Sequence, residues 1–437
     1  MTIPAIITLC ILLLISYIFH LTAAKTNIPA VILLLLLGWI MRQFAIFFDI
    51  QLPGLQSFLP VLGTIGLILI VLEGAFELDM HESKIPFISK SFVTALVPLI
   101  FASFALSYFF QWYGMQNGEV FSLKQGLLNA IPLCIISSAI AIPSAQNLSR
   151  AKKEFVIYES SLSDIFGVIF FNFIAFNTIF DFYSFAHFGF QILIIIIVTF
   201  IATISLSLLL SKIKNHIKFV PIIILIILIY SVSKYYHLPA LVFILMFGLF
   251  IGNVTKLFHF KWAQHLRPDI LEKEVSKFTE LTSEATFVIR SLFFLLFGYL
   301  LETDELLNPD TFVWAVAIVG GIYFIRGFML LILRIPIKPL IYIYPKGLIT
   351  ILLFLTISEN QSISFVNGSL IIQIILLSSF VMMFGIMFYK RDAKELEEIE
   401  RFEKEYGDGD MNIEEDDGIE MEVINTKEKN ETEDSVI

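Results

Sequence analysis

Within YESSLSDIFGVIFFNF, Tyr158 to Phe173, a glutamate, an aspartate and three serines fall inside six residues of an otherwise apolar run. An ionised carboxylate at a bilayer centre costs roughly 2.5–3.5 kcal/mol on insertion scales, so each acid needs a compensating partner or a task. On an α-helix Ser160 and Asp164 share one face, whereas Glu159 and Asp164 point about 140° apart. The two acids should therefore meet different partners. Glu159 requires a cation, and Arg326, in GGIYFIRGFML, is the arginine most clearly in mid-helix in the second half of the chain. A buried Glu–Arg pair can hold two helices together when further hydrogen bonds complete it. Asp164 is left with no obvious permanent partner and with hydroxyls beside it. Carboxylate and hydroxyl oxygens suit a hard, small cation such as sodium or lithium. Desolvation also favours the neutral carboxyl, so the same group can take a proton when no cation is bound. A site that holds one or the other, but never both, couples them by exchange. The structural alternative is an acid hydrogen-bonded to neighbouring helices.

Two further stretches interrupt apolar runs. IISSAIAIPSAQNLS carries Pro143 in mid-span among small polar residues, and YIYPKGLITILLF places Pro345, Lys346 and Gly347 inside an apolar stretch. Proline removes a backbone donor and clashes with the preceding turn, and glycine weakens a helix again. Non-helical backbone at membrane depth survives only where it is buried in protein or lines a wet cavity. Both stretches read as broken helices, with an ordinary proline kink as the alternative.

The elements that must carry these groups follow from composition. The chain has 437 residues, 57% hydrophobic and only 16% charged, with 45 phenylalanines. Soluble domains average about 25% charged residues, and runs such as AVILLLLLGWIM approach the ~20 apolar residues that cross the hydrocarbon as a helix. The expected fold class is an all-α polytopic membrane protein. Thirteen segments are predicted, at about 3–21, 27–43, 58–76, 87–110, 125–147, 152–178, 187–211, 217–234, 239–256, 283–300, 311–333, 338–358 and 366–389. With the N-terminus outside, nineteen lysines and arginines fall on the cytoplasmic connections and three (Arg42, Lys124 and Lys234) on the external ones. That asymmetry follows the positive-inside rule, and it places the C-terminus in the cytoplasm. The first segment has no basic residue before its apolar run, so it reads as a retained helix rather than a signal peptide. Cys10 and Cys134 lie in apolar runs without metal or disulfide spacing. Residues from about 257 to 283 mix both signs and read as an amphipathic connector.

Residues 390–437 hold 19 acidic against 7 basic side chains, which more than accounts for the net charge of −10. The acidity belongs to this tail, expected to be cytoplasmic and largely disordered. It says nothing about the sign of a substrate.

If the seventh segment is a linker, segments one to six and eight to thirteen form two six-helix halves. The interruptions then fall on the fifth helix of each. Paired broken segments at matching positions point to an inverted-repeat transporter whose site lies near the midplane, where the broken helices cross. No repeat is visible in the primary sequence, so the symmetry is one of pattern.

These residues resemble the monovalent cation:proton antiporters of the NhaP and NHE type. The most specific stretch is ESSLSD, Glu159 to Asp164, which looks like the family's Glu-Ser-x-x-Asn-Asp signature on its sixth helix. The resemblance implies that Asp164 carries cation and proton, that Ser160 helps to ligate the ion, and that Glu159 and Arg326 form a structural pair. PKGLITILLF is similar to the Arg-Gly segment of the second broken helix, with Lys346 where arginine is usual. FFLLFGYLLE looks like a Phe/Gly-rich motif near the tenth helix. Three departures stand out. Ser163 replaces the asparagine before the aspartate. The Thr-Asp-Pro of the first broken helix becomes Ala141-Ile142-Pro143, leaving the Ala141 carbonyl as a backbone ligand. Lys346 keeps a charge but lacks the planar fork of arginine.

The cation/proton-binding set expected on this basis is Asp164, Ser160, Ser163 and Ala141. By the same resemblance a core bundle spans about 87–178 and 311–389, and a scaffold that supports a homodimer spans about 1–86 and 187–300. Asn-Asp members are understood as electroneutral, and Ser163-Asp164 likewise offers one titratable group, which implies one cation per proton. Sodium or lithium is the expected cation, with potassium a third candidate. Partners are thus that cation, the proton and the lipid bilayer; no cofactor, resident metal or nucleic acid is called for. A bacterial inner membrane is the expected location. A different class of reading is a gated cation channel, or a transporter-derived sensor regulated by the acidic tail. Continuous hydrophilic pore stripes would favour it, and none is visible. An intramembrane enzyme is disfavoured because neither His-x-x-x-His nor Gly-x-Ser-x-Gly occurs.

Overall fold

The structure, a computed structural model, describes residues 2–26, 28–49, 55–78, 85–146, 148–177, 182–212, 219–236, 238–253 and 268–389. The acidic tail and residues 254–267 of the connector lie outside these.

Helix follows helix along the whole described chain: α1 (Thr2–Thr26), α2 (Ala30–Phe47), α3 (Leu55–Glu77), α4 (Ile85–Gln116), α5 (Leu123–Cys134), α6 (Ser138–Ser144), α7 (Arg150–Phe176) and α8 (Phe182–Lys212). After these come α9 (Phe219–Tyr235), α10 (Ala240–Gly252), α11 (Pro268–Leu300), the single turn α12 (Thr303–Leu306), α13 (Pro309–Ile332), α14 (Leu348–Thr356) and α15 (Gly368–Met387). Among the described residues nine spans are long and apolar enough to cross a membrane, counting Leu123–Ser144 as one, and three shorter apolar helices join them. The protein is a multi-pass integral membrane protein. Each of the thirteen predicted segments contains helix, but the twelfth is helical only from Leu348 onward.

Local chemistry sets the ends of the elements that frame the site. Ser122 and Gln125 form a reciprocal capping box at the start of α5, which satisfies two donors that the first turn would leave unpaired. Asn308 caps α13 with Pro309 in the first helical position, where a missing N–H costs nothing. Asn367 caps α15 through Leu370 N–H.

Burial separates the helices. In the most apolar stretch of Leu123–Ser144, 89% of residues are buried, against 22% for α8. The broken helix is therefore at the centre and α8 at the rim, where Leu193, Ile197 and Ile201 face outward, as suits contact with lipid tails. α4 packs on α5 and α7, α6 lies on α7, and α13 packs on α15 and α4. On the other side α11 runs along α2 and α3, and α10 along α3 and α8. The α2–α11 contact is backbone to backbone. A Cβ on Gly38 would lie 2.8 Å from Tyr299 N, and one on Gly298 would lie 2.9 Å from Leu35 Cα. Small residues permit such close approach where no hydrophobic effect drives helices together. Gly298 is the glycine of FFLLFG.

Two expectations are corrected. The fifth segment does not break at Pro143: the helix stops at Cys134, residues 135–137 are non-helical, and Pro143 lies inside α6. The break is held open by tertiary hydrogen bonds described below rather than by the missing proline N–H. The connector expected up to residue 283 is, from Pro268, already part of α11. Nothing between Pro268 and Leu300 interrupts the helix, and proline at its first position is favourable.

Candidate functional site

The two interruptions meet in the interior. Ile135 and Ser137 have extended backbone on either side of the first break, and residues 343–347 form the second, leading into α14. Ser137 N–H donates to the Pro345 carbonyl at 2.9 Å, and Tyr344 O–H donates to the Cys134 carbonyl at 3.2 Å. Thr350 Oγ1 donates to the Pro132 carbonyl at 2.9 Å. The broken helices thus cross and supply each other with the partners that their interrupted ladders lack. Gly347 makes this approach possible, because a Cβ there would lie 2.6 Å from Ser137 Oγ and 2.9 Å from Ile140 Cδ1.

Side chains complete the first break. Ile136 N–H donates to Ser163 Oγ at 3.0 Å, and Lys346 Nζ donates to the Ile135 carbonyl at 2.9 Å. Ser138 N–H donates to Asp164 Oδ2 at 3.2 Å. A cation thus takes the carbonyl beyond α5, while a carboxylate takes the first N–H of α6. Those are the signs that the orphan groups at helix ends prefer. Lys346 is 1% exposed and lies 3.9 Å from the centre of the Tyr344 ring.

The two carboxylates of α7 are satisfied very differently. Arg326 Nη1 and Nη2 donate to Glu159 Oε1 and Oε2 at 2.8 and 2.9 Å, a two-pronged pair. Nε and the second Nη2 hydrogen donate to the Leu340 carbonyl at 2.9 and 2.7 Å, and the group lies over the Tyr344 ring. Both carboxylate oxygens of Glu159 thus accept from a charged donor, and the pair ties α7 to α13. Asp164 Oδ2 accepts from Ser138, through both backbone N–H and hydroxyl. Asp164 Oδ1 is buried and has no hydrogen-bond partner among the described residues. A buried carboxylate oxygen left bare is costly, and that cost calls for a ligand.

The other residues expected at the site are placed as follows. Ser160 Oγ donates to the Val156 carbonyl one turn back at 2.7 Å, not to Asp164. A serine inside a helix has this local acceptor at hand, which sequence spacing alone does not reveal. Ser163 is engaged with the break through Ile136. Ala141 is fully buried in α6, and its carbonyl accepts from Ala145 N–H at 3.1 Å. Pro345, Lys346 and Gly347 are at the crossing. Ser138, which contacts Asp164 directly, was not among the expected residues. The available signal was the Ser137–Ser138 pair within the polar stretch before Pro143.

The side of α6 away from Ser138 borders an open cleft. Its walls include Ser16 and His20 of α1, Pro143 and Ser144 of α6, and Arg290 of α11. Ile140 of α6 lines the cleft and also faces Gly347 at the crossing.

Comparison with known proteins gives the geometry a lineage. The family described as sodium/hydrogen exchanger, transmembrane, matches residues 10–389. A solved structure of the sodium proton antiporter MjNhaP1 from Methanocaldococcus jannaschii at pH 8 superposes with a TM-score of 0.62 at 17% identity, covering 92% of this chain and 99% of that one. An electron-microscopy structure of the same antiporter gives 0.61 at 18% identity, covering 89% and 95%. At such identity the likeness shows a shared fold. No curated protein sequence matches significantly. The family match takes in most of α1, every later described helix, both breaks and both carboxylates, and on that ground the chain belongs to the sodium/hydrogen exchanger family.

Proposed function

We propose that this protein exchanges a monovalent cation for a proton across its membrane, by alternating access around Asp164. The observation that carries the reading is the bare, buried Asp164 Oδ1 beside the crossing. Family membership supports the reaction class. Asp164 holds either a hard cation, with sodium or lithium preferred and potassium third, or a proton. Glu159 and Arg326 keep α7 and α13 moving as one body, so the carrier travels with the bundle formed by about 87–178 and 311–389. The segments about 1–86 and 187–300 form the static scaffold and homodimer contact. Lys346 balances the charge of the empty carboxylate. With one carrier acid, one cation crosses per proton and the exchange is electroneutral. The N-terminus faces outward, the acidic tail is cytoplasmic, and the membrane is a bacterial inner membrane.

Proteoliposomes with an imposed pH gradient test this when challenged with sodium, lithium and potassium. The wild type should dissipate the gradient with at least one cation, and Asp164→Asn should reduce the rate to that of empty liposomes. An imposed membrane potential should leave the wild-type rate unchanged. Unaltered exchange by Asp164→Asn would remove Asp164 from the mechanism, and a clear voltage response would overturn the one-for-one stoichiometry.

A further inference from the structure

We infer that Ser138 supplies a side-chain oxygen to the transported cation and thereby sets cation affinity and preference. This rests on the exchange reading above and goes beyond it by assigning a ligand at the first break. Four hydroxyls lie near the carboxylate in sequence or space, and their engagements differ. Ser161 Oγ has no hydrogen-bond partner among the described residues and faces α3, where a Cβ on Gly74 would lie 3.0 Å from it. Ser160 Oγ is turned back to Val156, and Ser163 Oγ accepts from Ile136 N–H. Only Ser138 places its hydroxyl on Asp164, and it is Asp164's only hydrogen-bond partner among the described residues.

That hydroxyl is suited to a site that fills and empties. With no cation bound, its O–H donates to Asp164 Oδ2. A hydroxyl carries one proton and two lone pairs and can rotate, so an arriving cation can receive a lone pair while the proton turns away. Ser138 N–H stays on the carboxylate in both conditions, because the backbone is fixed by the Ser137–Pro345 and Ile136–Ser163 hydrogen bonds. Carboxylate and hydroxyl are hard oxygen donors, and they favour small hard cations most. Ser138 is 2% exposed, so the bond to the hydroxyl is made away from bulk water, where electrostatic contacts are stronger.

The test uses the full-length protein in liposomes, with wild type, Ser138→Ala, Ser138→Thr, Ser138→Cys and Asp164→Asn titrated with lithium, sodium and potassium. Ser138→Ala should raise the half-saturating concentration of lithium and sodium about tenfold, as loss of one charge-assisted contact of about 1.4 kcal/mol would. The increase for potassium should be smaller. Ser138→Thr keeps the hydroxyl and should restore values close to wild type. Ser138→Cys keeps the side-chain shape at a slightly larger volume but offers soft sulfur, and should resemble Ser138→Ala; it also serves if the alanine variant fails to fold. Unchanged half-saturation in both Ser138→Ala and Ser138→Cys would overturn the inference. So would an equal fall in maximal rate for all three cations at unchanged half-saturation, which is the mark of a packing role. If the wild type exchanges and Asp164→Asn does not, those results count against Ser138 alone. A wild type inert to all three cations would instead refute the exchange reading.

Discussion

Glu159 and Asp164 lie on the same helix, and they are 2% and 1% exposed. Both are carboxylates removed from water, yet Glu159 has one N–H of the Arg326 guanidinium on each oxygen while Asp164 has donors on only one. Burial alone therefore does not say what an acid in a membrane does. What separates the pair is the completeness of the surrounding hydrogen bonds. A saturated acid is fixed, and removing its partner strands a charge. An unsaturated acid is held at a cost that a cation or a proton relieves.

The contrast breaks most sharply under substitution. Glu159→Ala leaves Arg326 uncompensated in the interior, and losing one partner of a buried pair costs about 3–5 kcal/mol. Thermal unfolding of the purified protein should register this as a large fall in midpoint. Asp164→Asn removes a charge that is only half satisfied, and its stability should stay within about 1 kcal/mol of wild type. The double variant Glu159→Leu/Arg326→Met should recover most of what Glu159→Ala loses, because a buried ion pair can be replaced by apolar side chains of similar volume. Equal destabilisation by Glu159→Ala and Asp164→Asn would erase the distinction between brace and carrier.

A smaller effect is expected at the crossing that presents Ser138 to Asp164. In Gly347→Ala the new methyl would lie 2.6 Å from Ser137 Oγ and 2.9 Å from Ile140 Cδ1, so one strand of the crossing must shift. Overpacking of this kind costs about 1–3 kcal/mol. Because the Ser137–Pro345 hydrogen bond would be displaced, transport should fall along with stability. A variant with wild-type rate and midpoint would show that the crossing does not depend on close backbone approach.

Much of this arrangement was legible in the sequence, and the reasons are physical. Apolar run length is dictated by bilayer thickness, so most helices could be placed to within about six residues; the exceptions are α11, which already begins at Pro268, and the twelfth segment, helical only from Leu348. The cost of intramembrane charge singled out Glu159, Asp164, Arg326 and Lys346. Helical spacing separated the two acids onto different faces. What the sequence did not reveal was the direction of each hydroxyl. Ser160 lies on the face of Asp164 but finds its acceptor in its own helix at Val156. Ser138 lies 26 residues from Asp164 along the chain, and only the crossing brings them together. Contacts of that kind are set by tertiary packing, which local pattern does not encode.

The first break shows the same limit in the backbone, and it yields the smallest predicted effect. Proline was the visible signal, but Pro143 lies within α6, while the non-helical residues are 135–137. Ile135, Ile136, Ser137 and Ser138 each use a backbone polar group on a partner from α7 or from the second break. The break is therefore a product of those four contacts, and Pro143 is incidental to it. Pro143→Ala would restore an N–H to α6, and its gain within the helix offsets the extra freedom of the unfolded chain, typically about 0.4–1 kcal/mol. Thermal midpoint and exchange rate should both stay near wild type. If Pro143→Ala abolished exchange as Asp164→Asn is expected to, the proline would have to shape the site directly, and the four tertiary contacts would not be sufficient to hold the helix open.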